Sequence, residues 1–423
     1  MINDFVSKKR IIFIIERSNY FRIVSPLIKF FSESGINVEL WHDLSAKMPK
    51  RVLESANPNW LPDFKNSDID VKSFTEKTDL LEYCSKNTVN YILILSLSAV
   101  PYEDIVNKKM RSEWVYLPPY PDDWMLSVKN KEHLLSIDKY VIQTDYWLEK
   151  NIEIFKEISD WFTDEIENEF RKRAIIGGWP QGDQALYINS SRIHYDLGIN
   201  PQKNIVLWFN FSDSTSYPWR IRLYNKYTLF DRIGFIFKNT KNPFTFFRAF
   251  FDINVSDVIK CVRKICDHNN ALLVIKYRNR ETLLKIEKEM CDHSFNDINH
   301  FPSINNQLIS VANVCVGPFS TAARDAAAMN KPYIMHDFNK NLERPILGEK
   351  VALGIDYSKE NGYLNFRPLI YYVKNLSELS KTLSESLKNW KNNEQKCNEY
   401  YEKYVGIKGV SQCDHLSKKL FKL

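Results

Sequence analysis

The stretch VANVCVGPFSTAARDAAAMNKPYIMH, Val311 to His336, decides how this chain reads. Asn313 to Val316 is a short apolar run with the character of a buried strand. Gly317 and Pro318 break it, and Ser320 and Thr321 stand where a helix N-cap belongs. Ala322 to Met329 is rich in good helix formers. Lys331-Pro332 stops that helix, and Tyr333 to Met335 begins another strand. The unit is strand, loop, helix, strand, with bare amides at the helix start as a ready anion site. Asp325 follows one turn in. Phosphate at the helix start and ribose at the acid is an arrangement that suits a nucleoside diphosphate. An ordinary capped crossover carries the same residues, so the rest of the chain has to decide.

The surroundings are α/β. Ile11 to Ile15 is an apolar run between charges, the pattern of a parallel strand buried on both faces. Tyr20 to Ser34 has helical periodicity through Phe21, Val24, Leu27, Ile28 and Phe31, and Gly35 ends it. Ile36 to Trp41 is the next strand. Further strands are expected at Tyr91 to Leu95, Trp114 to Leu117, Lys139 to Gln143 and Ala174 to Gly178, whereas Pro49 to Lys72 reads as irregular. Thr144-Asp145 is expected to cap the helix that carries Trp147. The segment GGWPQGDQALYINS, Gly177 to Ser190, reads as a connector in which Asp183 caps the residues just after it. Asn204 to Phe209 opens a second half. It resumes with helix Val255 to Asp267, strand Ala271 to Lys276 and helix Arg280 to Met290. Leu376 to Tyr404 reads as helical.

At 423 residues and 44% apolar composition the chain can build two domains with substantial cores. The expected division is 1–178, 179–390 and a helical tail 391–423. A net charge of +6 is mild for this length and does not indicate a nucleic-acid partner. The seven cysteines show neither a CxxC pair nor zinc spacing, which reads as reduced structural thiols of a cytoplasmic protein. The apolar run near the N-terminus is too short for a signal peptide or a membrane span.

Four local features, in this order, resemble GT-B glycosyltransferases, whose two facing Rossmann-like domains hold the site between them. RIIFIIERSNYFRIVSPLIKFFSESGINVEL resembles their first βαβ unit, although Arg17-Ser18-Asn19 stand where many members have glycines. GGWPQGD resembles the G-x-P-x-x-D connector of bacterial surface-polysaccharide transferases, including the CDP-glycerol glycerophosphotransferase-like group. LLVIKYRNR resembles the strand and basic element that approach donor phosphates, with Tyr277 and Arg278 where a histidine is common. GPFSTAARDAAAMNKPYI resembles the donor loop. The resemblance implies two Rossmann-like domains, with C-terminal helices packing back across them.

In such an enzyme the leaving diphosphate needs preorganised positive charge and amide donors. Lys276, Arg278 and Arg280 are the candidate cations, with Arg324 a further one. Ser320, Thr321 and the amides of Thr321 to Ala323 are the candidate phosphate ligands, and the resemblance makes Asp325 the ribose ligand. A solvated strand end and a helix-dipole carboxylate are the plain alternatives. Asp122, Asp123 and His42, with Asp43 and His133 behind them, are candidates for the base that activates an acceptor hydroxyl. No DxD stands where a metal would be held, so no metal and no cofactor are expected. The segment Arg220 to Phe251 interleaves Phe with Arg and Lys within an expected insertion at about 210–252. It suits an anionic membrane surface, where a lipid-linked acceptor would be met, packing against the second domain, or a self-association surface.

The expected partners are thus a nucleotide-activated sugar and a glycan or lipid-linked acceptor. The expected activity is transfer of the sugar to a surface glycan or glycolipid by a cytoplasmic or peripheral protein. A transferase of alcohol phosphate from a CDP-activated donor, a sugar-nucleotide epimerase and a non-catalytic nucleotide-sugar or glycan binder are the alternatives.

Overall fold

Apolar runs flanked by charge fold here as parallel strands, and each half of the chain builds its own sheet from them. The computed structural model describes residues 10–15, 21–44, 70–86, 91–96, 112–118, 121, 128, 130–210, 255–277, 283, 285–297, 303–318, 320–336 and 357–421. The chain divides into two units. The first is Met1–Tyr187 with Ile298–Ser303 and Asn398–Leu423; the second is Ile188–Asp297 with Ile304–Cys397. Nearly all of the expected insertion lies outside the described residues. Among the described residues no helix is long and apolar enough to cross a membrane.

The first unit runs β1 (Arg10–Ile15), α1 (Phe21–Glu33), β2 (Asn37–Asp43), β3 (Asp70–Phe74), α2 (Lys77–Lys86), β4 (Tyr91–Ser96) and β5 (Ser112–Leu117). It continues with α3 (Lys131–Ser136), β6 (Lys139–Ile142), α4 (Asp145–Ile158), α5 (Asp164–Arg173) and β7 (Ala174–Ile176). Its sheet has the order β3-β2-β1-β4-β5-β6-β7. Every pair is parallel. This is the doubly wound order, whose direction reverses between β1 and β4. α1 buries Ile23, Val24, Leu27, Ile28 and Phe31, each worth about 1.5–3 kcal/mol on leaving water. It ends where Gly35 turns to φ +75° and Ile36 N–H reaches back to the Phe31 carbonyl at 3.0 Å.

β3 lies partly in the stretch read as irregular. It is an edge strand, tied in by a buried carboxylate rather than by an apolar run. Glu39 on β2 accepts from Lys72 of β3 at 3.3 Å, from the Tyr83 hydroxyl at 2.9 Å and from Arg10 at 3.3 Å. Thr144 precedes α4 as expected but does not cap it; its hydroxyl donates to the Lys403 carbonyl at 2.7 Å.

A 3-10 turn, Pro180–Tyr187, leads to the second unit. There follow α6 (Ser190–Asp196), β8 (Asn204–Phe209), α7 (Val255–His268), β9 (Ala271–Lys276), α8 (Lys285–Met290) and β10 (His293–Phe295). Then come α9 (Asn305–Val311), β11 (Val314–Gly317), α10 (Ala322–Ala328), β12 (Tyr333–His336), β13 (Ile370–Val373) and α11 (Leu376–Asn389). The sheet order is β10-β9-β8-β11-β12-β13, again all parallel. Its direction reverses between β8 and β11. One face of the sheet packs α7 and α11 through Val206, Trp208, Ile275, Val316, Ile259, Val262, Leu379 and Leu383.

The stretch Leu376 to Tyr404, expected to be helical, is divided between two helices. Asn393 caps a new helix, α12 (Glu394–Tyr404), by accepting Lys396 N–H at 3.0 Å, and the chain between it and α11 is not helical. A last helix, α13 (Gln412–Phe421), belongs to the first unit. Phe421 packs edge-on against Phe31 of α1, with centroids 5.7 Å apart. Gly177 makes room for α13: a Cβ there would lie 2.7 Å from Leu416.

Candidate functional site

Open parallel sheets bind ligands outside the carboxyl ends of their strands, where the strand order reverses. In the second unit that point lies between β8 and β11, and the GPFSTAARD loop leaves β11 there. Register puts Phe295, Lys276 and Phe209 in one row across β10, β9 and β8, and Gly317, Met335 and Tyr372 in one row across β11, β12 and β13. Lys276 closes β9, two strands from β11, or about 10 Å at the usual strand spacing.

The corner after β11 is tight for a specific reason. A Cβ on Gly317 would lie 2.5 Å from the Tyr333 hydroxyl and 3.0 Å from Phe209 Cβ. Tyr333 donates to the Pro318 carbonyl at 3.0 Å and so fixes the turn. Ser320 is the cap: its Oγ accepts Ala322 N–H at 3.1 Å, and its carbonyl accepts Ala323 N–H at 3.1 Å. Thr321 is already helical, at φ −60° and ψ −17°, and makes no side-chain cap. The expectation of bare amides is thereby corrected. Those of Ala322 and Ala323 are engaged by Ser320, and α10 has only seven residues to build a dipole. Thr321 and Asp325 lie one turn apart on the same helix face.

Two candidate ligands are already in ion pairs. Lys276 is 5% exposed, and its Nζ donates to Asp297 Oδ2 at 2.6 Å. Asp297 Oδ1 accepts Ile304 N–H at 3.0 Å, which orients the carboxylate. Asp325 Oδ1 accepts from Arg324 Nε at 3.2 Å and Nη2 at 2.8 Å. Each of these cations is matched by a carboxylate, so neither pair adds net charge toward a diphosphate. Arg278 and Arg280, the remaining expected cations, lie outside the described residues. Next along the chain from Phe209, Asn210 bonds the Lys276 carbonyl through its backbone and Glu287 through its side chain, both at 2.8 Å. Glu287 is fully buried.

Asp297, Glu287 and Asn210 were missed by the sequence reading. β10 is three residues long, with no periodicity to mark Asp297 as standing at a strand end. Burial is the main influence on two further groups. His336 closes β12, stacked on Trp208 with centroids 5.4 Å apart, and its imidazole is pushed down to about 4. Lys331 is lowered for the same reason.

In the first unit, His42 and Asp43 stand at the carboxyl end of β2. His42 is 4% exposed, and among the described residues neither ring nitrogen has a hydrogen-bond partner. Burial lowers its pKa and so favours the neutral imidazole, while the Asp43 charge opposes that shift. Asp122 and Asp123 lie outside the described residues, although Pro121 just before them is held by Asn151 Nδ2 on its carbonyl at 3.0 Å. His133 sits half-buried within α3, where its backbone N–H is capped by Asn130 at 2.8 Å.

The connector holds a structural surprise. Asp183 does not cap the residues just after it. It accepts from the backbone amides of Gln412 and Cys413 and from the Ser411 hydroxyl, at the start of α13. Gly178, at φ +70°, leaves no room for a Cβ because the Gln412 side chain lies 1.9 Å from where it would be. The G-x-P-x-x-D residues thus dock the last helix on the first unit.

No known protein-family profile matches the chain. No curated protein matches it in sequence. Solved structures do match it along almost its whole length. The wall teichoic acid polymerase TagF, soaked with CDPG, is 11% identical with a TM-score of 0.53, covering 99% of this chain and 91% of that one. UDP-GlcNAc 2-epimerase from Methanocaldococcus jannaschii is 11% identical with a TM-score of 0.56, covering 98% of this chain and 99% of that one. The Neisseria meningitidis epimerase bound to UDP-GlcNAc is 9% identical with a TM-score of 0.54, covering 98% and 100%. These proteins share the two-domain GT-B fold, and so does this chain. At this identity the likeness establishes the fold.

Proposed function

We propose that the chain is a glycosyltransferase that moves a sugar from a nucleotide-activated donor to a surface glycan or glycolipid, with no metal requirement. The observation that carries this reading is the GPFSTAARD loop at the carboxyl end of β11, beside the switch point of the second sheet. Thr321 and Asp325 share a helix face there, with Lys276 about 10 Å along the same sheet edge. The donor diphosphate would draw its positive charge from Arg278 and Arg280, with Lys276 joining as its pairing to Asp297 is exchanged. His42 would accept the proton of an acceptor hydroxyl. A neutral imidazole with no hydrogen-bond partner among the described residues is in the protonation state a base requires. The ligands named with the neighbouring structures, CDPG and UDP-GlcNAc, support a nucleotide-linked donor.

A second reading has its own support. TagF, soaked with CDPG, and the GGWPQGD connector both favour transfer of a polyol phosphate from a CDP-alcohol. Thermal shift with UDP, GDP, CDP and a CMP-sugar separates the readings. Stabilisation by UDP or GDP favours sugar transfer, and by CDP alone the alcohol phosphate. Transfer from the responding donor, lost in Asp325→Ala and in His42→Ala, is the expected result. Stabilisation without turnover would leave a binding protein in place of the enzyme.

A further inference from the structure

Arg324 and Asp325 are adjacent on α10, and adjacent helical side chains point about 100° apart. They meet through the long reach of the arginine side chain. Two of its N–H groups then land on one carboxylate oxygen, Oδ1, at 3.2 and 2.8 Å. Arg324 is 1% exposed, one of the largest fully buried side chains described. Asp325 keeps 7% exposure, so the pair meets solvent on the carboxylate side.

A carboxylate placed for the helix dipole needs none of this, because it works at the surface in water. Burying a guanidinium is costly, and replacing such a pair by apolar groups is often stabilising. What the grip changes is freedom. The terminal torsion of a free carboxylate is broad. Two donors from one planar group on one oxygen hold it still and set the direction of the second oxygen. A group so held accepts a hydrogen bond without first losing entropy.

We propose that Arg324 is a positioning residue that holds the Asp325 carboxylate in the orientation that accepts a ribose hydroxyl, so that the site selects ribonucleotides over deoxyribonucleotides. This rests on the reading of the β11 loop as the nucleotide-donor site. Asp325 then makes the contact and Arg324 decides its selectivity.

The test is calorimetric titration with UDP, CDP and GDP and their 2′-deoxy and 3′-deoxy counterparts. The wild-type protein is expected to prefer one ribonucleotide over an analogue lacking a single hydroxyl by about tenfold or more. In Arg324→Met that ratio falls to about one, while affinity for the deoxy analogue stays within about threefold of wild type. A residue that merely supports the fold would lower both affinities together, and that outcome overturns the proposal. So does an unchanged ratio. Arg324→Lys keeps the charge without the two-pronged grip and is the variant that carries the test if Arg324→Met does not fold. Its ratio is expected to drop at least about threefold, and an unchanged one overturns the proposal. A wild-type protein that binds a diphosphate without favouring the ribose form removes this inference alone. One that binds no nucleotide in the panel removes the donor-site reading with it.

Discussion

Asp183 accepts the backbone amide of Gln412 at 2.8 Å, across 229 positions of chain. Its second oxygen takes Cys413 N–H at 2.8 Å and the Ser411 hydroxyl at 2.7 Å. An acid at a helix N-terminus satisfies amides that have no intrahelical partner, and here it also closes a long loop. Asp183→Ala is expected to lower the stability of the first unit by about 2–4 kcal/mol, read as a urea midpoint. Asp183→Asn, which keeps an acceptor, loses less. A change under about 0.5 kcal/mol for the alanine variant would mean the contact does not hold the helix.

Gly317→Ala places a methyl 2.5 Å from the Tyr333 hydroxyl. The expected cost is about 1–3 kcal/mol. The double variant with Tyr333→Phe removes the hydroxyl and is expected to recover part of that loss. Equal stability of single and double variants would locate the strain at Phe209 instead.

His336 titrates at about 4 in the fold because burial disfavours its charge, against about 6.5 in an unfolded chain. Between those values the unfolded chain binds the extra proton, so stability rises with pH through the window and is complete above it. Acidification from pH 7 to pH 5 is expected to remove about 2 kcal/mol through this group. His336→Phe, which retains a ring against Trp208, should lose correspondingly less over the same interval. Parallel pH profiles for the two proteins would discard the assignment.

The Lys276–Asp297 pair is expected to behave as a buried pair does. Lys276→Met leaves the Asp297 carboxylate beside an apolar chain and costs about 2–4 kcal/mol. The double variant Lys276→Met with Asp297→Leu removes both charges and is expected to be more stable than the single one. A double variant whose cost equals the sum of the two single costs would show that the residues act independently.

The central strands were legible because burial on both faces writes an unbroken apolar run. β1, β8 and β9 are RIIFII, NIVLWF and ALLVIK, and each begins or ends within a residue or so of its expected place. The strands that escaped, β3, β10 and β13, are all at sheet edges. An edge strand need not be apolar throughout, and β10 has only three residues. The βαβ unit at Val311 to His336 was readable for the same reason as β8. Its chemistry was readable only in part. Ser320 as cap follows from residue type, but that Arg324 pairs with Asp325, or that Lys276 meets Asp297, depends on three-dimensional neighbours. Asp183 is the plainest case, since its partners lie at the far end of the sequence.

The return of α13 to the first unit has a consequence for biosynthesis. The ribosome delivers β1 to β7 first, yet Asp183, Gly177 and Gly178 await a helix made some 230 residues later. The second unit, nearly continuous in sequence, is complete before the first. A nascent chain therefore carries an N-terminal unit whose strands are all made but whose last helix is missing while the second unit is synthesised, with the face meant for α13 open to chaperones until Gln412 to Phe421 emerge.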